Sequence, residues 1–240
     1  MYIVGRFIGF ILFAGLIQPM RFVYGRRACA YENTANLDAV KGRSFIAVSN
    51  HIKPRSRFLK FISMPYDAFL IRAMMLRHGI YATAFTSYDA PAPPRSSFDA
   101  LFRKHFKEPL TKGIVRSMDL IPLNRRKQDP KTTAEVRRRL REKPAGLGVF
   151  PEGTWFRGYR AERKLYGGAA VYAKRYNLPV LPFFINAYNM KGDIDIRVGE
   201  LLENVDDAKL LMEQVRSQFN ALSSREPVKQ PDRAMAGANA

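Results

Sequence analysis

Short apolar runs alternate along the chain with longer amphipathic stretches. Apolar runs bounded by polar or turn residues are typical of buried strands, and the amphipathic stretches are typical of helices that pack on a core. Strands are predicted before residue 33, at 44–49, at Tyr81–Thr86, in a run that ends at Phe150, at Leu178–Ile185 and at Asp193–Val198. Helices are predicted at Asp67–His78, Phe98–Met118, Thr132–Glu142, Leu165–Tyr176 and Val205–Leu222. This alternation predicts an α/β fold with a mostly parallel sheet covered by helices on both sides.

Two of the predicted strands end in polar groups. Asn50 and His51 follow the strand at 44–49, and Pro151-Glu152-Gly153 follows the run that ends at Phe150. Proline stops ladder pairing and glycine permits a tight turn, so Glu152 is expected to project from an edge of the sheet. An ordinary strand-to-loop corner is the alternative for each end taken alone. Catalytic and binding groups collect on such loops.

Three regions are predicted along the chain: a membrane-associating segment at 1–23, a catalytic domain at 24–223 and a disordered tail at 224–240. Residues 1–20 carry one charged side chain, Arg6, and their uncharged run is shorter than the twenty or so residues that span a bilayer. A monotopic or re-entrant anchor is the preferred interpretation, and a spanning helix and a cleaved signal peptide remain alternatives.

The charge balance indicates an extended anionic partner, because 40 basic and 21 acidic residues give a net charge of +19. No nucleic-acid recognition motif is present, so anionic membrane lipid is the expected partner and nucleic acid is not. The single cysteine, Cys29, excludes an internal disulfide framework. His51, His78 and His105 are widely spaced, and the sequence predicts no metal site.

Four segments occur in an order that resembles the glycerolipid acyltransferase family, the 1-acylglycerol-3-phosphate acyltransferases and their relatives. They are Asn50-His51, Leu120–Arg126, Phe150–Thr154 and Leu178–Phe183. The resemblance covers roughly residues 20 to 190, and Phe-Pro-Glu-Gly-Thr at 150–154 is its most specific part. It implies an enzyme that moves a fatty acyl group from acyl-CoA or acyl carrier protein, as co-substrate, to the hydroxyl of a lysophosphatidic acid-like lipid, with no cofactor.

The resemblance also implies that His51 is a general base oriented by an acidic residue. In the family an aspartate follows the histidine after four residues, but Ser56 stands at that position here. Fifteen positions, 52–66, precede Asp67 where the family has four, which indicates an insertion of eleven residues. Asp67 is therefore the expected partner of His51. The alternative is that Asp67 serves only as a helix cap.

Substrate-binding roles are implied for Asn50, Arg125, Glu152, Gly153 and Thr154. Arg125 matches the acceptor-binding arginine of the family, and a guanidinium can grip a phosphate with two parallel hydrogen bonds.

The family usually has an arginine where this chain has Trp155. Arg157, two residues further on, is the expected substitute, and the change leaves open whether another lysophospholipid is the acceptor. A catalytically inactive relative that binds anionic membrane lipid through its basic surface is the alternative function. Both the active acyltransferase and the inactive lipid-binding relative would be associated with the cytoplasmic face of a membrane.

Overall fold

A computed structural model describes residues 29–53, 66–87, 96–102, 104–105, 115, 119–123, 130–186, 194–203 and 206–224. The strands are β1 (Cys29–Glu32), β2 (Phe45–Ser49), β3 (Ala82–Ser87), β4 (Ile121–Leu123), β5 (Gly146–Val149), β6 (Val180–Asn186) and β7 (Ile194–Val198). The helices are α1 (Tyr66–Arg77), α2 (Ser97–Phe102), α3 (Pro130–Glu142), α4 (Gly168–Tyr176) and α5 (Ala208–Ser223). A 3₁₀ helix, Thr34–Val40, follows β1.

The strands form one sheet in the order β1-β7-β6-β2-β5-β3-β4. Every neighbouring pair is parallel except β6 and β7. The five strands from β6 to β4 therefore run in one direction, and their carboxyl ends lie on one edge of the sheet. β2 is central, since it pairs with β6 on one side and with β5 on the other.

Alternate residues of β2 face two separate cores. Phe45 and Ala47 pack in a core with the 3₁₀ helix and α1, whereas Ile46 and Val48 pack in a core with α3, α4 and α5. All five residues of β2 are buried. A strand buried on both faces reads as a continuous apolar run because helices cover the sheet on both sides. The sequence-based fold prediction is confirmed in this respect.

Several element boundaries differ from the sequence-based expectations. The 3₁₀ helix was not predicted. Helix α4 begins at Gly168 rather than at Leu165, with Gly167 as its N-cap. Of the predicted helix Phe98–Met118, α2 covers only the beginning, and most of the remainder lies outside the described residues. β4 falls in the segment Leu120–Arg126 and ends at Leu123, two positions before Arg125 in the sequence.

The arginines of α3 do not form a uniform basic face. Arg139 is buried, donates 2.7 Å to Glu135 and lies 2.8 Å from an Asp119 carboxylate oxygen. Arg138 donates to Glu135 and to Glu142. The ion pair between Arg139 and Asp119 ties α3 to the turn that precedes β4. The carboxylates of Glu135 and Glu142 neutralise part of the positive charge of the helix.

Some sequence-based expectations fall outside the described residues. They concern the anchor at 1–23, most of the insertion at 52–66, Arg125 and the tail beyond residue 224. Within the described parts of the chain, no helix combines the length and the apolar character needed to cross a bilayer.

Candidate active site

The carboxyl end of β2 and the first turn of α1 bring His51 and Asp67 together. The Nδ1 atom of His51 lies 2.5 Å from Oδ2 of Asp67. Asp67 has no exposed side-chain surface, and 13% of the His51 side chain is exposed. An imidazole with one nitrogen held by a buried carboxylate is fixed in orientation and tautomer, and its Nε2 is left to exchange a proton with a substrate. The arrangement can therefore perform general-base chemistry.

Asp67 also joins the two elements that carry the pair. Its Oδ2 accepts 2.9 Å from the Ile52 backbone N–H, and its Oδ1 accepts 2.9 Å from the N–H of Ala68. The sequence predicted a helix that begins at Asp67, whereas α1 begins at Tyr66 and Asp67 lies inside its first turn. The positive end of the helix dipole still stabilises a carboxylate at that position.

Two aromatic rings surround the imidazole. Phe150, directly after β5, stacks on His51 with ring centroids 4.3 Å apart and an interplanar angle of 21°. Trp155 stands edge-on, with centroids 5.5 Å apart and an angle of 68°. Since Asp67 occupies Nδ1 and Phe150 one ring face, substrate can reach the base only from a restricted direction.

Glu152 is buried beneath the histidine. Its Oε2 accepts 2.6 Å from the backbone N–H of His51, and its Oε1 accepts 2.5 Å from Arg163 Nη1. The side chain has no exposed surface, so the expectation that it projects from the sheet edge is wrong. The reason is that the β5 corner turns inward against the end of β2. In this structure the carboxylate supports the backbone of His51.

Gly153 makes the tight turn that the sequence predicts. Its φ is +70°, and a Cβ at this position would lie 3.0 Å from the Tyr166 ring. Its N–H donates 3.1 Å to the carbonyl of Phe150. Both the left-handed backbone and the close ring restrict this position to glycine.

The residues after this turn return to the end of β2. Phe156 donates 3.0 Å from its N–H to the His51 carbonyl and accepts 2.8 Å from the Lys53 N–H. Arg163 lies over the Phe156 ring, with its guanidinium carbon 3.5 Å from the centroid. The backbone on both sides of His51 is thus held by neighbouring segments.

Asn50 lies on the other side of β2 from this loop. Its Nδ2 donates 2.9 Å to the Ile185 carbonyl, and its Oδ1 accepts 2.8 Å from the Ile185 N–H. Asn50 has no exposed surface, and its amide extends the pairing of β2 with β6. The predicted substrate-binding role has no geometric support among these contacts.

Comparison with known proteins gives this site a context. The Acyltransferase family model matches residues 29–186, a span of more than half of the 240 residues. The chain belongs to the Acyltransferase family. This membership confirms the resemblance indicated by the four sequence segments.

A solved structure similar to this family member is that of PlsC, the 1-acyl-sn-glycerophosphate (LPA) acyltransferase from Thermotoga maritima. The TM-score is 0.52 and the sequence identity is 17%, with 93% of this chain and 81% of that chain covered. At this identity the likeness establishes the shared fold. No curated protein matches the sequence.

In this family member, a narrow apolar slot begins beside the histidine. It lies between α1 and strands β2, β3 and β5, and its cavity volume is about 20 Å³, or about 400 Å³ when all the empty space out to open solvent is counted. Its lining is mostly small and apolar, and Phe150, which stacks on His51, stands in its wall. The residues that line it include Ala47, Ala68, Ile71, Met75, Ala84 and Gly148. Small side chains on adjacent strands leave the space that larger ones would fill.

The other predicted site residues are less constrained. Thr154 and Arg157 are exposed on the loop after Glu152, and Arg125 lies outside the described residues. Arg163 was not predicted from the sequence, since it belongs to no motif and its role depends on the burial of Glu152. Within the described residues, no three His, Cys, Asp or Glu side chains come together as metal ligands would.

Proposed function

We propose that this chain transfers a fatty acyl group from an acyl thioester of CoA or acyl carrier protein to the hydroxyl of a lysophosphatidic acid-like glycerolipid. The observation that carries the proposal is the His51–Asp67 pair beside an apolar slot, whose lining includes Ala68 and Phe150. A base held by a buried acid suits the hydroxyl, and the slot suits a hydrocarbon chain. The histidine and the slot are neighbours, since Phe150 stacks on His51 and also lines the slot.

The reaction requires a single proton carrier. Nε2 of His51 takes the proton of the acceptor hydroxyl while its oxygen attacks the thioester carbon, and Asp67 stabilises the imidazolium that forms. The carbonyl electron pair moves to oxygen and then returns as the carbon–sulfur bond breaks. The imidazolium returns its proton to the departing thiolate. No covalent acyl-enzyme is part of this route.

The slot is proposed to hold the beginning of the acyl chain. Each buried methylene contributes roughly 0.8 kcal/mol, so even a few methylenes fix the thioester next to His51. Orientation of two reactants at a base is itself a large share of catalysis. The slot would thus contribute to binding of the acyl chain and, because it orients the thioester at His51, to the rate of transfer.

The acceptor is proposed to be held by Arg125 and Arg157 through its phosphate, with Gly153 and Thr154 forming the loop beside it. PlsC is named as an acyltransferase for 1-acyl-sn-glycerophosphate, and its shared fold supports an acceptor of that class. Membrane association on the cytoplasmic face is proposed through residues 1–23 and the net charge of +19, which attracts anionic lipid.

A direct assay tests the proposal. Purified protein in detergent is incubated with labelled palmitoyl-CoA or palmitoyl-acyl carrier protein and with lysophosphatidic acid, a lysophosphatidylcholine or a monoacylglycerol. Diacyl product with lysophosphatidic acid, and much less with the phosphate-free acceptor, is the expected result. Absence of product with every acceptor and donor, together with tight binding to anionic vesicles, would instead support the inactive lipid-binding relative.

A further inference from the structure

Helix α2 carries the two most exposed large apolar side chains of the part of the chain that the structure describes. Phe98 is 77% exposed and Leu101 is 59% exposed. They are three positions apart in one helix, so the two side chains are neighbours on the same face. A single exposed apolar residue is ordinary on a protein surface, whereas adjacent ones form a patch that marks an interaction site.

The sequence around this pair is basic. Residues 95–108 contain four lysines or arginines and two acidic residues. Lys104 and His105, which follow α2, are exposed. Bulky apolar side chains beside basic ones are typical of a segment that lies in a lipid interface. There the apolar groups enter the boundary between headgroups and acyl chains, and the cations attract anionic headgroups.

The place of α2 in the fold connects it with the candidate active site. α2 lies in the crossover from β3 to β4. β3 and β2 are both parallel to β5, so the carboxyl end of β3 at Ser87 lies on the edge of the sheet that also carries His51. Residues 88–96 alone separate Ser87 from the helix. The crossover that carries the apolar pair therefore leaves the sheet at the edge where the proposed reaction takes place.

We propose that α2 is a membrane-docking element, in which Phe98 and Leu101 enter an anionic bilayer and Lys104 lies at the level of the lipid phosphates. This contact is additional to the one proposed for residues 1–23. The inference rests on the membrane association in the proposed function and not on its chemistry.

A second copy of this chain is the competing occupant of the α2 face. A symmetric dimer uses the same patch on both subunits, so it would bring two basic segments together. Like charges placed opposite each other disfavour an interface, whereas anionic lipid neutralises them. The charge of the segment therefore favours lipid.

The apolar and charged parts of this contact respond differently to salt. Full burial of a phenylalanine or leucine side chain strengthens binding by about 10- to 100-fold. Salt screens the attraction between exposed charges and leaves the apolar contribution in place. Loss of the apolar pair should therefore weaken binding at low and at high salt alike.

The test measures co-sedimentation of the full chain with vesicles of phosphatidylcholine and phosphatidylglycerol in equal amounts. The double variant Phe98→Ser with Leu101→Ser is compared with wild type. The matched control is Val171→Ser with Leu210→Ser, which removes two apolar side chains from α4 and α5, each 50% exposed. The Tm of each protein checks its folding.

A fall in vesicle affinity of at least about tenfold in the α2 variant, retained at high salt, is expected, with the control within about threefold of wild type. Equal losses in the two variants, or no loss in the α2 variant, would overturn the inference. A dimeric wild type and a monomeric α2 variant with equal vesicle affinities would assign the face to a second copy and also overturn it. A wild type that binds no vesicles would overturn the proposed membrane association as well.

A second measurement locates the helix directly. The chain contains one tryptophan, so Phe98→Trp adds a second, and Leu210→Trp is its control. Lipids with brominated acyl chains quench an indole that lies in the bilayer. More quenching in Phe98→Trp than in wild type and the control is expected, and equal quenching in all three would contradict insertion of α2.

Acyl transfer from palmitoyl-CoA to lysophosphatidic acid in detergent is assayed in parallel with wild type. A wild type that shows these vesicle differences but no transfer would overturn the proposed reaction and support the docking element.

Discussion

Oδ2 of Asp67 lies 2.5 Å from Nδ1 of His51, although sixteen positions separate the two residues in the sequence. The same oxygen accepts the N–H of Ile52, so one carboxylate holds both the ring and the backbone next to it. The return of the chain over this distance is inexpensive, because the entropy of loop closure grows only with the logarithm of loop length. Asp67, although it lies further along the sequence, can therefore take the role of the aspartate that follows the histidine after four residues in the family.

Asp67→Asn is expected to lower turnover by about 10²- to 10⁴-fold, because an amide cannot hold the imidazole in the required tautomer. Steady-state acyl transfer checks this, with Asp38→Asn as the control. Asp38 is an exposed acid that pairs with Lys41 on the surface, so its loss should leave the rate unchanged.

The double variant of His51→Ala with Asp67→Asn should be little worse than either single change, because the two residues act as a unit. Multiplicative losses in the double variant would show that Asp67 acts independently of His51, as a helix residue only.

The sequence predicted the core of this site because its residues follow apolar strands. β2 and β5 read as buried runs, and the polar groups after them, His51 and Glu152, meet where parallel strands end at one edge. Asp67 was predictable only through the family pattern and the absence of any acid closer to His51. Nothing in composition or spacing alone pairs the two residues.

Other features were not predictable because they depend on tertiary packing. Arg163 is eleven positions from Glu152 and becomes its partner only because the loop folds back over Phe156. Asn50 looks like a site residue in sequence, but β6 provides Ile185 to pair with its amide. The 3₁₀ helix Thr34–Val40 has too short a pattern to distinguish it from a loop.

Arg163→Met is expected to destabilise the protein by about 3–5 kcal/mol, because it leaves the fully buried carboxylate of Glu152 without its countercharge. Chemical unfolding measures the loss. Adding Glu152→Gln should restore much of the stability, since the amide oxygen can still accept from the His51 N–H while no charge remains buried. A double variant as unstable as the sum of the single changes would refute the pairing of Arg163 with Glu152.

The slot beside His51 should hold the first methylenes of the acyl chain. Ala84 lines it beside Gly148 on the neighbouring strand, and Ala84→Val should raise the KM for palmitoyl-CoA and for octanoyl-CoA alike by about tenfold, because the added methyl groups occupy space that the first methylenes of either chain need. The matched control is Ala173→Val, a similarly buried alanine on the other face of the sheet. Both variants overpack a core by about 1–3 kcal/mol, so an equal KM in the two would exclude the slot as the acyl site.

The ion pairs of α3 should make stability depend on acidity. The hydrogen bond from Arg138 is the largest cause that lowers the pKa of Glu135 from 4.5 to about 2, and burial partly opposes it. Because the folded-state pKa is depressed, the stabilisation is present above pH 4.5 and is lost as pH falls toward 2. Glu135→Gln should therefore cost about 1 kcal/mol at neutral pH, after allowance for solvent screening.

Unfolding in urea at several pH values compares this variant with the wild type, and the difference should shrink between pH 5 and pH 3. A difference that stays constant over that range would assign the effect to packing rather than to charge.

The measurement that bears most directly on the central claim is the single-turnover rate of labelled acyl transfer from palmitoyl-CoA to lysophosphatidic acid by wild type and His51→Ala. The account predicts product from the wild type and a rate about 10²- to 10⁴-fold lower in the variant, with unchanged vesicle binding and with both proteins assayed well below the Tm of the variant. A variant rate within tenfold of wild type, or a wild type that forms no product with either acyl-CoA or acyl carrier protein as donor, would contradict it.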